Sequence, residues 1–145
     1  MKARILYNTD GTVSIIHPAP KSRREDETEE QWLERVFTKS TPTDATFKDV
    51  DEALLPQDRD FRNAWGKGAE GIDIDILKAK NITKDRLRLE RKPLFEEQDV
   101  LYMKALESGL DTKAIVTEKQ RLRDITKQAD SATSLADLKA LKVKE

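Results

Sequence analysis

Residues 76–108 leave a fold little choice but a long helix. Leu87, Leu94 and Leu101 recur every seven residues, flanked by Phe95, Tyr102, Ala105 and Leu106, a spacing that holds an apolar seam along one helical surface. Pro93 lies inside this run and predicts a kink or a restart, since a proline in a helix interior costs about 3 kcal/mol. Ser108-Gly109 is the expected stop, with glycine supplying the left-handed residue after the last turn. A second helix is expected from a cap at Asp111 to about Thr126, with Ile115, Lys119, Leu122 and Thr126 on a seam that is only half apolar. Ser134-Leu135-Ala136-Asp137 reads as a capping box for a short last helix bearing Leu135, Leu138 and Leu141. The seam of Leu87, Leu94, Leu101 and Leu106 is expected to pack against Ile115 and Leu122, or against a second copy of the chain.

Charged residues make up 38% of the 145 and hydrophobic ones 37%, which suits a compact part joined to helices with mostly wet surfaces. Such helices often complete their cores against another molecule. With a net charge of -1 there is no strong field to draw the chain to nucleic acid or to a membrane. The lack of cysteine excludes disulfides, thiolate nucleophiles and cysteine-ligated zinc. No apolar run approaches the roughly 20 residues of a membrane span, and the N-terminus turns polar too soon for a secretory signal. The expectation is a soluble protein made in a cytoplasm.

In the N-terminal half, residues 4–7 and 12–16 read as strands around Asn8-Thr9-Asp10-Gly11, a hairpin signal. Thr28-Glu29-Glu30-Gln31 has the capping-box form, and Trp32, Leu33, Val36 and Phe37 share one face of the helix behind it, which Ser40-Thr41-Pro42 ends. Residues 46–50 alternate like a third strand. Asp58 is placed to cap a short helix with Phe61 and Trp65 one turn apart. Gly66, Gly68 and Gly71 then suggest a linker, giving a small domain over 1–66, a glycine-rich joint over 67–75 and a helical hairpin with a tail helix over 76–145. Residues 72–75 alternate like a strand or lead into the helix. The fold class is α+β.

Catalytic groups are not suggested. His17 is the sole histidine and stands at a strand end beside Pro18, so a structural role outweighs a general base or ligand. The acids from Glu25 to Glu30 complement the dipole of the helix they precede. Asp73 and Asp75 share a strand face but lack a third ligand at a cation-binding spacing. Gly66-Lys67-Gly68 fits no phosphate-cradling pattern. Lys84, Arg86, Arg88, Arg91 and Lys92 could track a phosphate backbone, but Asp85 and Glu90 are interspersed, and a solvated ion-paired face is the simpler account. The segment 56–65 is the exception. Arg59, Phe61, Arg62 and Trp65 are either a lid on the small domain's core or a contact patch, for Trp and Arg dominate binding hot spots.

Ile15-Ile16-His17-Pro18-Ala19-Pro20, then Asp49-Val50-Asp51, then Leu55-Pro56 with Asp58-Arg59-Asp60-Phe61-Arg62-Asn63-Ala64-Trp65, resemble small proteins encoded by tailed bacteriophages and prophages. So do Asp85-Arg86-Leu87-Arg88 with Arg91, Asp99, Tyr102-Met103-Lys104-Ala105-Leu106-Glu107 and Lys119-Gln120-Arg121-Leu122-Arg123-Asp124. These later words look like the C-terminal region of phage tail-assembly-chaperone and tail-fibre accessory proteins. Family members often carry Thr where Asp60 stands, and Lys92-Pro93 is a further departure. The resemblance implies a non-enzymatic virion or morphogenesis protein that contacts a tail or tail-fibre protein, in the virion or in the host cytoplasm during assembly. It implies no cofactor, no metal and no catalytic residue. A phage-encoded inhibitor of a host defence enzyme is the alternative from another class, and nucleic-acid binding through residues 84–92 a third.

Overall fold

The computed structural model describes residues 1–144 and has the α+β architecture, strands first and helices after. It divides into two compact units, Met1–Asp75 and Ile76–Glu145.

In the first unit, β1 (Lys2–Tyr7) is the central strand of a sheet of order β2-β1-β3, with β2 at Val13–Ile16 and β3 at Thr46–Asp51, both antiparallel to it. The β1–β2 turn is fixed by Asp10, whose Oδ1 accepts from the Thr12 N–H at 2.9 Å. Alternation along β1 splits its side chains between two faces. Ala3 and Ile5 join Val13, Val50, Leu55 and Trp65 in a buried cluster. Arg4, on the other face, is bidentate to Asp49 directly across the ladder at 2.6 and 2.8 Å, and its guanidinium stacks between Phe37 and Phe47. Phe37 belongs to α1 (Glu29–Ser40), so this arginine ties helix to sheet. α1 starts at the expected capping box: Thr28 Oγ1 accepts from Gln31 N–H, and the Gln31 side chain accepts from Thr28 N–H. Trp32 and Phe37 are its buried residues. The charged loop before it is ordered by Arg35, which holds Glu27 with two bonds of 2.6 and 2.7 Å and donates to the Ser22 carbonyl.

Two expectations need correction here. Asp58 caps no helix spanning Phe61 and Trp65; its Oδ1 accepts from Asp60 N–H in a tight turn, a 3-10 turn covers Arg62–Ala64, and Trp65 opens a strand. The residues expected as a joint over 67–75, with a domain ending at 66, instead belong to the first unit. β4 (Trp65–Lys67) pairs with β5 (Ile72–Ile74), and Ile72 and Ile74 pack on the N-terminal core. Tyr7 donates its hydroxyl to the Gly71 carbonyl at 2.8 Å, and Lys48 reaches the Ala69 carbonyl at 2.9 Å. The glycines serve close packing rather than flexibility. At Gly71, with φ +146, a Cβ would lie 3.2 Å from the Ile5 side chain, and at Gly68 one would lie 2.8 Å from the Asp73 backbone nitrogen.

The second unit begins with α2 (Ile76–Glu107), a single helix that runs through Pro93. Pro93 is exposed, so the Leu89 carbonyl that loses its donor sits on the side open to water. The helix ends in a Schellman motif: Leu110 N–H bonds the Ala105 carbonyl, Gly109 N–H bonds the Leu106 carbonyl, and Gly109 takes φ +66. Asp111 Oδ1 accepts from Lys113 N–H as α3 (Lys113–Asp124) begins. α4 (Lys127–Ser131) and α5 (Leu135–Ala140) follow, and α3, α4 and α5 all pack on α2. Ser134 caps α5 through the Asp137 N–H, while the Asp137 carboxylate turns back to Thr133.

Candidate functional site

The segment 56–65 divides its four singled-out residues between core and surface. Phe61 and Trp65 are 6% and 3% exposed, so their rings are core and the contact patch reduces to its arginines. Arg62 lies with its guanidinium carbon 4.5 Å from the Trp65 ring centroid and donates to the Val13 carbonyl at 2.9 Å, clamping the segment to β2. Arg59 is exposed and has no side-chain partner among the described residues.

Arg59 stands at a cleft of about 220 Å³. Ile15, Leu55, Pro56 and Trp65 form its apolar wall, and His17, Glu52, Gln57 and Arg59 supply the polar groups. His17 Nδ1 lies 2.9 Å from Glu52 Oε1, an acidic partner 35 residues away in the chain. Topology explains the pairing. β2 and β3 are both antiparallel to β1, so the residues just past their ends, His17 and Glu52, emerge at the same end of the sheet. Gln57 is held by a 3.0 Å bond to the Leu55 carbonyl. The two indoles of the chain differ sharply. Trp32 Nε1 donates to Ser22 Oγ at 2.9 Å, whereas Trp65 Nε1 is buried with no acceptor among the described residues. A buried donor left unpaired costs about 1–3 kcal/mol and calls for an account.

In the second unit, Leu87 and Leu122 are fully buried with Ile125 and Val143, and Leu94 is half-buried against them. Ile115 is half-buried. Leu101 and Leu106 depart from the expected seam at 42% and 52% exposed. The reason is the mismatch between seven residues and two helical turns, which rotates a heptad position by about 20° per repeat in a straight helix. Ala105, about five turns on from Leu87, comes back to the inward side and is buried in their place, leaving Leu106 about 100° away. Leu101 and Leu106 are accompanied by exposed Met103, Leu110 and Val116, so large apolar side chains stand in water around the last turns of α2, the loop and the first turn of α3.

The basic run on α2 is engaged within its own unit. Lys84 pairs with Asp130 and Arg88 with Asp85. Arg86 donates to the Leu138 and Leu141 carbonyls and Arg91 to those of Leu122 and Arg123. Of the five, Lys92 has no ion-pair or hydrogen-bond partner among the described residues. Among those residues no group of three or more His, Asp or Glu could hold a metal ion, and no helix is long and apolar enough to cross a membrane.

Comparison with protein-family models, with curated proteins and with solved structures finds no match to this chain.

Proposed function

We propose that this protein is a non-enzymatic accessory of a tailed bacteriophage, a virion or morphogenesis component that works by protein–protein contact at the tail or tail fibre. The observation that carries the contact mode is the density of exposed apolar residues around the α2–α3 turn. Five large apolar residues, Leu101, Met103, Leu106, Leu110 and Val116, stand between 42% and 66% exposed there. Single exposed apolar residues are ordinary, but five within residues 101–116 give a partner protein apolar surface to cover. The phage setting is supported by the likeness of the sequence words from Ile15 to Asp124 to small proteins of tailed bacteriophages and prophages, and of the later words to tail accessory proteins.

The test is mass spectrometry of purified phage particles, quantified against the major capsid protein. A fixed copy number makes the chain a structural component. Absence from particles together with co-purification with the fibre from infected cells makes it an assembly chaperone. Absence from both, with capture of a host enzyme, would replace this reading with that of an inhibitor. Leu106→Asp combined with Leu110→Asp is expected to abolish the tail or fibre contact while leaving the helical circular dichroism unchanged.

A further inference from the structure

We propose that the cleft beside Trp65 is a binding site for a single carboxylate, carried by an acidic side chain or a chain terminus of a protein partner. Two observations converge on it. The first is a cation: Arg59, exposed at the cleft, has no acceptor of its own, unlike Arg4, Arg35 and Arg62 of the same unit. The second is a donor: Trp65 forms part of the wall, and its Nε1 is buried without an acceptor. Guanidinium and indole N–H are complementary to one chemistry, an oxygen bearing negative charge, because a charge-assisted bond to arginine is about twice as strong as a neutral one.

Size and lining narrow the ligand. A volume of about 220 Å³ takes one side chain or one terminal residue rather than a cofactor. Leu55 and Pro56 offer an apolar wall to the carbon stem of such a group. The one acid in the cleft, Glu52, is held by His17 at 2.9 Å, so its charge is directed to a neighbour. Trp65 Nε1 has under 1 Å² exposed, so an incoming oxygen reaches it as a wall side chain turns aside. Gln57, exposed in the same wall, can move aside, since its amide is tied only to the Leu55 and Glu52 carbonyls at 3.0 and 3.5 Å.

The two indole N–H signals of the full chain make the test direct. Trp32, already bonded to Ser22, is the internal reference, and Trp32→Phe assigns the peaks. The protein is titrated with three probes in ¹H–¹⁵N spectra: an acetylated Gly-Leu dipeptide with a free C-terminus, the same dipeptide amidated, and an acetylated, amidated glutamate. The expected result is a downfield shift of the Trp65 indole with one or both carboxylate probes, none with the amide, and a fixed Trp32 signal. Response to the first probe alone assigns a chain terminus, and to the third alone an acidic side chain. Arg59→Gln is expected to weaken binding about tenfold. A silent Trp65 indole, an equal response to the amide, parallel movement of both indoles, or unchanged affinity in Arg59→Gln would each overturn the site. The cleft stands on its own observations, so failure of these peptides leaves the particle assay for the phage role unaffected.

Discussion

The two units weight the roles of arginine differently, although each has both side-chain and main-chain partners. In the first, Arg4 holds Asp49 and lies between two phenylalanine rings, Arg35 holds Glu27, and Arg62 covers Trp65. In the second, Arg86, Arg91 and Arg121 donate to main-chain carbonyls at or beyond helix ends, those of Leu138, Leu141, Leu122, Arg123 and Val143. The difference follows from secondary structure. A sheet pairs most of its carbonyls within the ladder, so arginine there chiefly links side chains, the edge-strand carbonyl of Val13 being an exception; each helix leaves its last carbonyls without a donor, and arginine from a neighbouring helix supplies one. A basic stretch on a helix is therefore an ambiguous sign of nucleic-acid binding. Here the charges are part of the packing.

That contrast breaks most visibly in the core of the second unit. Leu87→Ala is expected to cost about 2–5 kcal/mol, because Leu87 is fully buried against Leu122, Ile125 and Val143. Leu101→Ala, one of the same heptad repeat, should stay within about 0.5 kcal/mol. Urea unfolding followed by circular dichroism separates the two, and equal losses would restore the unrotated heptad seam. Next in size is Arg91→Met, which removes two charged bonds to the end of α3 and is expected to cost about 1.5–3 kcal/mol. Arg88→Met, whose partner Asp85 is 72% exposed, should cost under about 1 kcal/mol. If both cost the same, the carbonyl role of Arg91 is wrong.

The indoles sharpen the comparison within the first unit. Trp32→Phe and Trp65→Phe lose similar ring volume from buried positions, but only the first also loses a hydrogen bond. Trp32→Phe gives up the bond to the exposed Ser22 Oγ, which turns to water, whereas Trp65→Phe deletes a buried donor with no acceptor. The second variant is therefore expected to be the more stable by about 1–3 kcal/mol in matched denaturant melts. The reverse order would mean that Trp65 Nε1 finds an acceptor in solution.

What could be read ahead of the structure was mostly local. Thr28 and Gln31 are three residues apart and announce their own capping box; Asp10-Gly11 announces its turn; Gly109 announces its stop. The errors came where a distant element decides the outcome. Gly68 and Gly71 read as a linker because their packing partners, Asp73 and Ile5, include one that is far away in sequence. Trp65 read as helical because nothing nearby says that Ile74 is its strand partner. The cleft lay outside sequence reasoning for the same reason, since His17, Glu52 and Arg59 meet only through strand order. Leu101 was misplaced by a small rotation accumulated over two heptads, and Leu106 because it stands one residue past the inward-facing Ala105.

The smallest expected effect concerns the Arg35–Glu27 pair, and its direction follows from linkage. Hydrogen bonds from Arg35, and then the bond from the Arg24 N–H, lower the Glu27 carboxyl from its ordinary 4.5 to about 2. A carboxyl whose value is depressed by folding stabilises the native state above its unfolded value, so the contribution is whole above about pH 4.5 and is lost as pH falls through about 2. The C-terminal unit also contains lowered carboxyls, Glu118 under Arg121, Asp124 under Lys127 and Asp137 under Thr133, but those partners lie three or four residues away. Arg35 is eight residues from Glu27 and reaches it only once α1 is docked on its preceding loop. A partner that close in sequence can persist in an unfolded helix turn, whereas the Arg35 pair requires the native loop. Acid should thus loosen the loop before α1 while the helices of the second unit persist. Carboxyl-detected NMR titration of Glu27 is expected to show a midpoint near 2, raised toward the ordinary carboxylate range in Arg35→Met. A wild-type midpoint at 4.5 would mean that the pair does not form in solution, and the loop would then owe its order to Arg23 and Ser22 alone.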